Sequence, residues 1–202
     1  MRGFERTNPW LSLCGLNCGL CPMRLGDYCG ECGHGNQSCP IARCSLEQGK
    51  VEYCFECSRY PCERYQGAEE YDSFITHRRQ MQDLEKAQRI GLDAYNREQQ
   101  VKAEFLQYLL KHFNDGRRKT LFCVAVNLLD WEELQEAAAC LREKETLPLK
   151  EKALFAAQTL GRIADRRGGR PIPCDGSAPF EEMERPWLGE PDQIVRTVQK
   201  SP

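Results

Sequence analysis

Apolar residues recur at helical spacing through the larger, C-terminal part of the chain, which indicates amphipathic helices. The first stripe comprises Phe74, Met81, Leu84 and Ile90. The second comprises Val101, Phe105, Tyr108, Leu109 and His112. Gly91 separates the two stripes, and the turn signal Asn114-Asp115-Gly116 ends the second. The pattern therefore predicts two helices with one apolar face each.

The next segment, TLFCVAVNLL at residues 120–129, is apolar on almost all sides and is therefore expected to be buried. We favour a helix over a strand, because Asp130 directly after it has the character of an N-cap, with Glu133 at the third helical position. The inner face of the following helix would be Leu134, Ala137, Ala138 and Leu141. Pro148 can open a further helix that ends at Gly168-Gly169. Its apolar stripe would be Leu149, Ala153, Ala157, Leu160 and Ala164.

The N-terminal part has a different composition, because ten of the 13 cysteines lie between residues 14 and 62. This stretch has few large aliphatic side chains, so we expect bound metal to offset the entropy of ordering it. The sequence predicts a mainly α protein in three parts. An irregular cysteine-rich metal-binding module with knuckles spans residues 1–66, a helical domain packed against it spans 67–169, and an extended Pro- and Gly-rich tail spans 170–202.

Composition and charge exclude several classes of protein. The formal net charge is −2, so nothing favours an anionic membrane or nucleic acid as a partner. No apolar run approaches the roughly 20 residues that span a bilayer, and the opening MRGFERTNPWLSL lacks a signal-peptide core. We therefore expect a cytoplasmic protein. A reducing cytosol disfavours a disulfide framework, which leaves metal or redox chemistry for the cysteines.

The spacing of the cysteines is typical of metal ligands. Three C-x2-C pairs occur, at 18/21, 29/32 and 54/57, and such a pair forms a tight knuckle that presents two thiolates to one ion. The candidate ligands are Cys14, Cys18, Cys21, Cys29, Cys32, Cys39, Cys44, Cys54, Cys57 and Cys62. Zinc held by four thiolates has no open position for substrate, so it would be structural, and no catalytic or cofactor-binding residue is predicted.

Ten thiolates can be divided in more than one way. One division takes Cys29, Cys32, Cys39 and Cys44 as a local site and joins the pairs 18/21 and 54/57 in a second. Cys14 and Cys62 could replace a member of either site, and a cluster with shared sulfurs is a further arrangement. Spacing does not decide among them. The alternative to zinc is one or two [4Fe–4S] clusters, because four thiolates suit both.

The other polar candidates have weaker patterns. His34 lies two residues after Cys32 and could be a further ligand, although an exposed loop histidine is the simpler interpretation. Asp115, Arg117 and Arg118 cluster at a turn beside a buried segment and would be the polar site of an enzyme acting on a small molecule. Helix-capping charges at a surface turn explain them more simply. Whether the protein is an enzyme stays open, since no known catalytic motif is present.

Charge within the cysteine-rich stretch argues further against nucleic acid. Four basic and five acidic residues lie between Cys14 and Cys62. Each four-thiolate zinc site would add about two negative charges, whereas phosphate binding needs a positive field. The expected partner is therefore an unidentified protein or small molecule.

Four phrases of the sequence are recognisable together: CGLNCGLCP, CPIARC, GKVEYCFECSRYPCERY and FNDGRRKTLFCVAVNLL. Over residues 12–140 they resemble the cysteine-rich family catalogued as domain of unknown function 3795. The resemblance implies a cytoplasmic bacterial or archaeal protein that binds zinc through all ten N-terminal cysteines, and it implies no reaction. We therefore predict a zinc-binding interaction protein, with an iron–sulfur electron-transfer protein as the alternative.

Overall fold

The computed structural model describes residues 1–166 and contains seven α-helices and no β-strand within them. The helices are α1 (Pro22–Leu25), α2 (Pro40–Glu47), α3 (Gln80–Ile90), α4 (Leu92–His112), α5 (Lys119–Leu128), α6 (Trp131–Arg142) and α7 (Leu149–Asp165). Short 3-10 turns cover Cys18–Leu20, Cys54–Glu56 and Glu63–Tyr65. The predicted mainly α class is confirmed. The tail predicted for 170–202 lies outside the described residues, and the domain boundaries stay predictions.

Helix α4 is the centre of the helical part, because it contacts α3, α5 and α6, while α7 packs on α5 and α6. Segment 120–129 is helical as predicted, and α5 buries Phe122 and Val126 against α4. The predicted capping box at the start of α6 is also present. The backbone N–H of Asp130 donates to Glu133 Oε2 at 2.7 Å, which satisfies an otherwise unpaired donor at the helix end.

Two of the predicted helical stripes are wrong in part. Phe74 is 71% exposed and precedes α3, because the carboxylate of Asp72 accepts bonds from the Thr76 hydroxyl (3.0 Å) and the His77 N–H (3.1 Å) and holds the chain in a loop. Leu149 begins α7 but is 47% exposed. The buried face of α7 is Ala153, Ala156, Thr159, Leu160 and Ile163, so its register differs from the predicted stripe.

The cysteine-rich segment shares its interior with the helices. Leu20 is 0% exposed and lies in the same buried cluster as Phe105 and Phe122. A second cluster combines Leu11, Tyr53 and Tyr65 from the N-terminal segment with Leu84 and Tyr95 from α3 and α4. The N-terminal segment thus buries more large apolar side chains than its composition suggests, and it does so against the helices.

Glycines in the stretch CGLNCGLC allow the backbone to come close to its neighbours. Gly15 has φ +97°, and a Cβ there would lie 2.2 Å from the carbonyl oxygen of Gln80 at the start of α3. A Cβ on Gly19 would lie 2.3 Å from the indole ring of Trp10. Only glycine fits at these positions, because any side chain would force the loop away from α3 and Trp10.

Buried Asn17 connects this loop to three helices through hydrogen bonds. Its Nδ2 donates to Asp83 Oδ2 on α3 at 2.8 Å and to Asn127 Oδ1 on α5 at 3.3 Å. The hydroxyl of Tyr95 on α4 donates to Asn17 Oδ1 at 2.8 Å. The amide of Asn17 is therefore satisfied on both sides inside the protein, as a buried polar group requires.

Asp83 makes this network dependent on pH. Burial raises the pKa of its carboxyl from 3.8 to about 6, although Arg79 and Lys102 oppose the shift. The folded state therefore binds the proton more tightly than the unfolded state does. The stability contributed by this group is full below about pH 4 and is lost as the pH rises through about 6.

We expect the free energy of unfolding to fall by up to about 3 kcal/mol between pH 4 and 6, since the shift is about two pKa units. Denaturant unfolding at a series of pH values measures this slope. The variant Asp83→Asn should lose the slope, whereas Asp93→Asn, which removes an exposed carboxyl of α4, should keep it. An unchanged slope in Asp83→Asn would contradict the assignment.

Candidate metal centre

Two of the three C-x2-C pairs fold into the same backbone turn. In each pair the N–H of the second cysteine donates to the carbonyl of the first at 3.1 Å, from Cys21 to Cys18 and from Cys57 to Cys54. The second cysteine then leaves in an extended conformation, with φ −78° and ψ 127° at Cys21 and φ −79° and ψ 132° at Cys57. The segments CGLC and CFEC are thus two copies of one turn, although they share only their cysteines.

The third pair, Cys29 and Cys32, lies in a different turn. Glu31 adopts φ +76°, and its carbonyl accepts the N–H groups of His34 at 3.2 Å and Gly35 at 2.8 Å. A Cβ on Gly35 would lie 2.3 Å from Cys29 Sγ. The backbone of this loop therefore wraps closely around the sulfur of Cys29, and a larger residue at position 35 would displace it.

Polar groups lie beside several sulfurs. Ser12 Oγ lies 3.3 Å from Cys14 Sγ, and this contact opposes the rise that burial causes in the pKa of that thiol. The backbone N–H of Leu13 bonds Cys32. Such hydrogen bonds stabilise the thiolate form of a cysteine, which is the form that binds metal.

Cys18 lies near four other cysteines, and Cys39 lies near two of these, Cys14 and Cys32. Burial raises the pKa of the Cys18 thiol, and the thiols of Cys32, Cys14, Cys21 and Cys29 raise it further. Burial likewise raises the pKa of Cys32 to about 11, with smaller contributions from Cys14 and Cys39. We call these residues the Cys18 group: Cys14, Cys18, Cys21, Cys29, Cys32 and Cys39.

The other four cysteines line one cavity. The cavity has a volume of about 30 Å³. We call its cysteines the Cys44 group: Cys44, Cys54, Cys57 and Cys62. Burial raises the pKa of Cys54 to about 12, and Cys14, Cys62 and Cys44 add to the shift. Cys14, a member of the Cys18 group, therefore also lies near Cys54 of the Cys44 group.

This grouping differs from the division that sequence spacing suggested. Cys44 lies with the Cys54/Cys57 pair, while Cys39 stays beside Cys32 and Cys14. Helix α2 is the reason, because Cys39 is its N-cap and Cys44 comes five residues later, about 7.5 Å further along the axis. Cys39 at the start of the helix and Cys44 in its middle thus belong to different groups of sulfurs.

The ligand chemistry of the cysteines suits a bound metal, whereas the positions of their side chains, among the described residues, do not form a metal site. All cysteines within residues 1–166 are free thiols, and thiolates are the ligands that zinc and iron–sulfur clusters prefer. Within the same residues, however, no three His, Cys, Asp or Glu side chains are arranged to hold a metal ion as they stand. Metal binding is therefore supported by the ligand chemistry alone, and it stays a prediction.

The polar turn before α5 has a local explanation. Asp115 accepts a hydrogen bond from the Arg117 N–H at 3.2 Å and forms an ion pair with Arg118, the N-cap residue of α5. These contacts hold the pKa of the Asp115 carboxyl below its usual value. Both arginines thus bond Asp115 in a local turn before α5, and Arg118 makes no side-chain capping bond to the helix. His34 is exposed, as the simpler interpretation of this residue predicts.

Two residues near the sulfurs carry no signal in the sequence. Arg64 lines the same cavity as Cys44, twenty positions away in the sequence. Gln80 lies beside the loop of Cys14, since its carbonyl oxygen would be 2.2 Å from a Cβ on Gly15, although the rest of the cysteine-rich segment separates the two in sequence. Only the folded chain brings these pairs together, so no spacing rule could have found them.

Comparison of the chain with protein-family models, with curated proteins and with solved structures gives no match in any of the three. The resemblance to the family catalogued as domain of unknown function 3795 therefore stays a prediction. Among the described residues, no helix combines the length and the apolar character that crossing a bilayer requires.

Proposed function

We propose that the protein is a cytoplasmic metal-binding protein, in which the ten N-terminal cysteines hold structural zinc and the surface binds a protein or small-molecule partner. The observation that carries the proposal is the concentration of ten free thiols between residues 14 and 62, four of which line one cavity. The Cys18 group and the Cys44 group each contain one of the two similar C-x2-C turns. Tetrahedral zinc sites commonly take two of their ligands from such a turn.

A role in binding a partner is supported by exposed aromatic side chains. Tyr28, Tyr71 and Phe74 are 77%, 76% and 71% exposed. Aromatic residues are enriched where proteins contact one another, because they bury a large apolar area at low entropic cost. Tyr71 and Phe74 lie in the loop before α3, so this loop is the region where we propose that a partner binds.

Bound iron–sulfur clusters are the alternative, since four thiolates suit zinc and [4Fe–4S] equally. The protein would then transfer electrons. The electrostatic surroundings do not favour one metal, because the hydrogen bonds that reach Cys14 and Cys32 would stabilise thiolates of either kind.

Metal analysis by mass spectrometry of protein purified without oxygen tests the proposal. We expect a colourless protein with about two zinc ions per chain, since eight of ten thiolates fill two tetrahedral sites. Absorbance near roughly 400 nm with stoichiometric iron would favour the cluster alternative. The variant Cys140→Ser, outside the ten cysteines, is the control and should keep its full metal content. Ten reactive thiols with no metal would overturn the proposal.

A further inference from the structure

We propose that Cys44, Cys54, Cys57 and Cys62 bind one metal ion of their own, separate from the ion or cluster held by the Cys18 group. The inference rests on the proposed metal-binding function and adds which sulfurs act together. It replaces the division that spacing suggested, in which Cys44 would share a site with Cys29 and Cys32.

The lining of the cavity supports a site made of thiolates. Its other residues are aliphatic, aromatic or neutral polar apart from Arg64, and no carboxylate or imidazole is among them. Among these side chains, the four sulfurs are the ligands that zinc prefers. Tetrahedral coordination needs four, which is the number that the cavity offers.

The local backbone holds three of the four ligands in a short stretch. Cys54 and Cys57 form the 3-10 turn, and the N–H of Tyr60 donates to the Cys57 carbonyl at 3.0 Å, which directs the chain towards Cys62. The N–H of Cys54 donates to the Leu13 carbonyl at 3.0 Å and fixes the turn to the first part of the chain. Helix α2 supplies the fourth cysteine, Cys44, which lines the same cavity.

Arg64 completes the arrangement as a positioning residue. Four thiolates around a divalent ion carry a net charge of about −2, which is costly unless nearby donors or cations offset it. Arg64 and Cys44 line the same cavity, which places the guanidinium near this thiol. It would offset part of this charge and orient Cys44, without touching the ion.

The Cys44 site is also the more accessible of the two groups. None of its four cysteines is buried, whereas the Cys18 group contains the buried residues Cys14 and Cys21. A chelator should therefore reach and remove the ion of the Cys44 group first. This difference gives a test that needs no variant.

Stepwise removal of metal from the native wild-type protein is the first experiment. A chelator is added in increments, free thiols are alkylated at each step, and the modified cysteines are mapped by mass spectrometry. We expect Cys44, Cys54, Cys57 and Cys62 to become reactive together, in step with loss of the first metal equivalent. Reaction of Cys44 in step with Cys29 and Cys32 would overturn the grouping.

Metal content of paired variants is the second experiment. Cys44→Ser and Cys62→Ser should each lose about one metal equivalent, and the double variant should lose no more than either, because both remove ligands of one ion. Combining Cys44→Ser with Cys29→Ser, Cys32→Ser and Cys39→Ser leaves three thiolates in each group and should lose about two equivalents. If that combination loses only one while the wild type binds two, the grouping is wrong and the proposed function stands. A wild type without metal overturns both.

Arg64→Ala should weaken retention of the first ion by about tenfold, measured as the chelator concentration that removes half of it, with the second ion unaffected. Arg59→Ala removes the same charge from the same stretch and should leave both ions in place. Equal effects of the two variants would show a general charge effect and would overturn the role of Arg64.

Discussion

Treatment of the native protein with a strong chelator is expected to unfold the cysteine-rich segment and to destabilise the helices with it. Structural zinc contributes about 10–16 kcal/mol in small metal-binding modules, as much as the whole folding free energy of a typical domain. Loss of the segment would also uncover Leu84 and Tyr95, which pack against Leu11 and Tyr53. Melting followed by circular dichroism should show a fall of at least about 10 °C, because each kcal/mol shifts the midpoint of a chain of this size by about 2–4 °C.

Return of zinc should restore the original melting temperature, and iron should not if the proposed metal is correct. Cys140→Ser, which leaves the ten N-terminal cysteines intact, should respond to the chelator as the wild type does. An unchanged melting curve after complete metal loss would contradict the proposal that metal stabilises this fold.

The variant Leu20→Ala is expected to lower the free energy of unfolding by about 2–5 kcal/mol, the range for truncating a fully buried leucine. Leu20 belongs to the cysteine-rich segment but is 0% exposed among side chains of α4 and α5. Its truncation should leave a cavity between these helices that the close packing of Phe105 and Phe122 prevents from collapsing. Denaturant unfolding with a helical signal measures the loss.

Leu154→Ala makes the same chemical change on α7 at a position that is 47% exposed, and it should cost less than about 1 kcal/mol. Comparison of the two variants separates burial from side-chain identity. If Leu20→Ala costs no more than Leu154→Ala, then the N-terminal segment does not contribute to the interior of the helical part.

Elements whose signals are local could be predicted from the sequence. The helix at 120–129 and the capping box of Asp130 and Glu133 depend on residues within one or two turns, and both are present. The register of α7 could not be predicted, because alanines on neighbouring positions leave several faces almost equally apolar. Contact with α5 and α6 selects the face that contains Ala156 and Ile163.

The candidate site, like the fold, could be predicted only in part from the sequence. The identity and density of the cysteines are visible in the sequence, and so is the turn that two of the C-x2-C pairs adopt. The neighbours of each sulfur depend on the fold: Cys44 on α2 lines one cavity with Cys54, Cys57 and Cys62. Spacing alone does not show this proximity, because Cys44 is ten residues away from Cys54 in the sequence.

Asn17 and Leu20 make the cysteine-rich part and the helices depend on each other, which limits how recombination can separate the two. A gene fragment encoding only the helices after Cys62 would leave Asp83 and Asn127 without the amide that pairs with them, and a gap where Leu20 lies. A fragment encoding only the cysteines would expose Leu11, Tyr53 and Tyr65 to water. We therefore expect recombination to move the two parts together as one evolutionary unit, with ancestral changes in Asn17 accompanied by changes in Asp83 or Asn127.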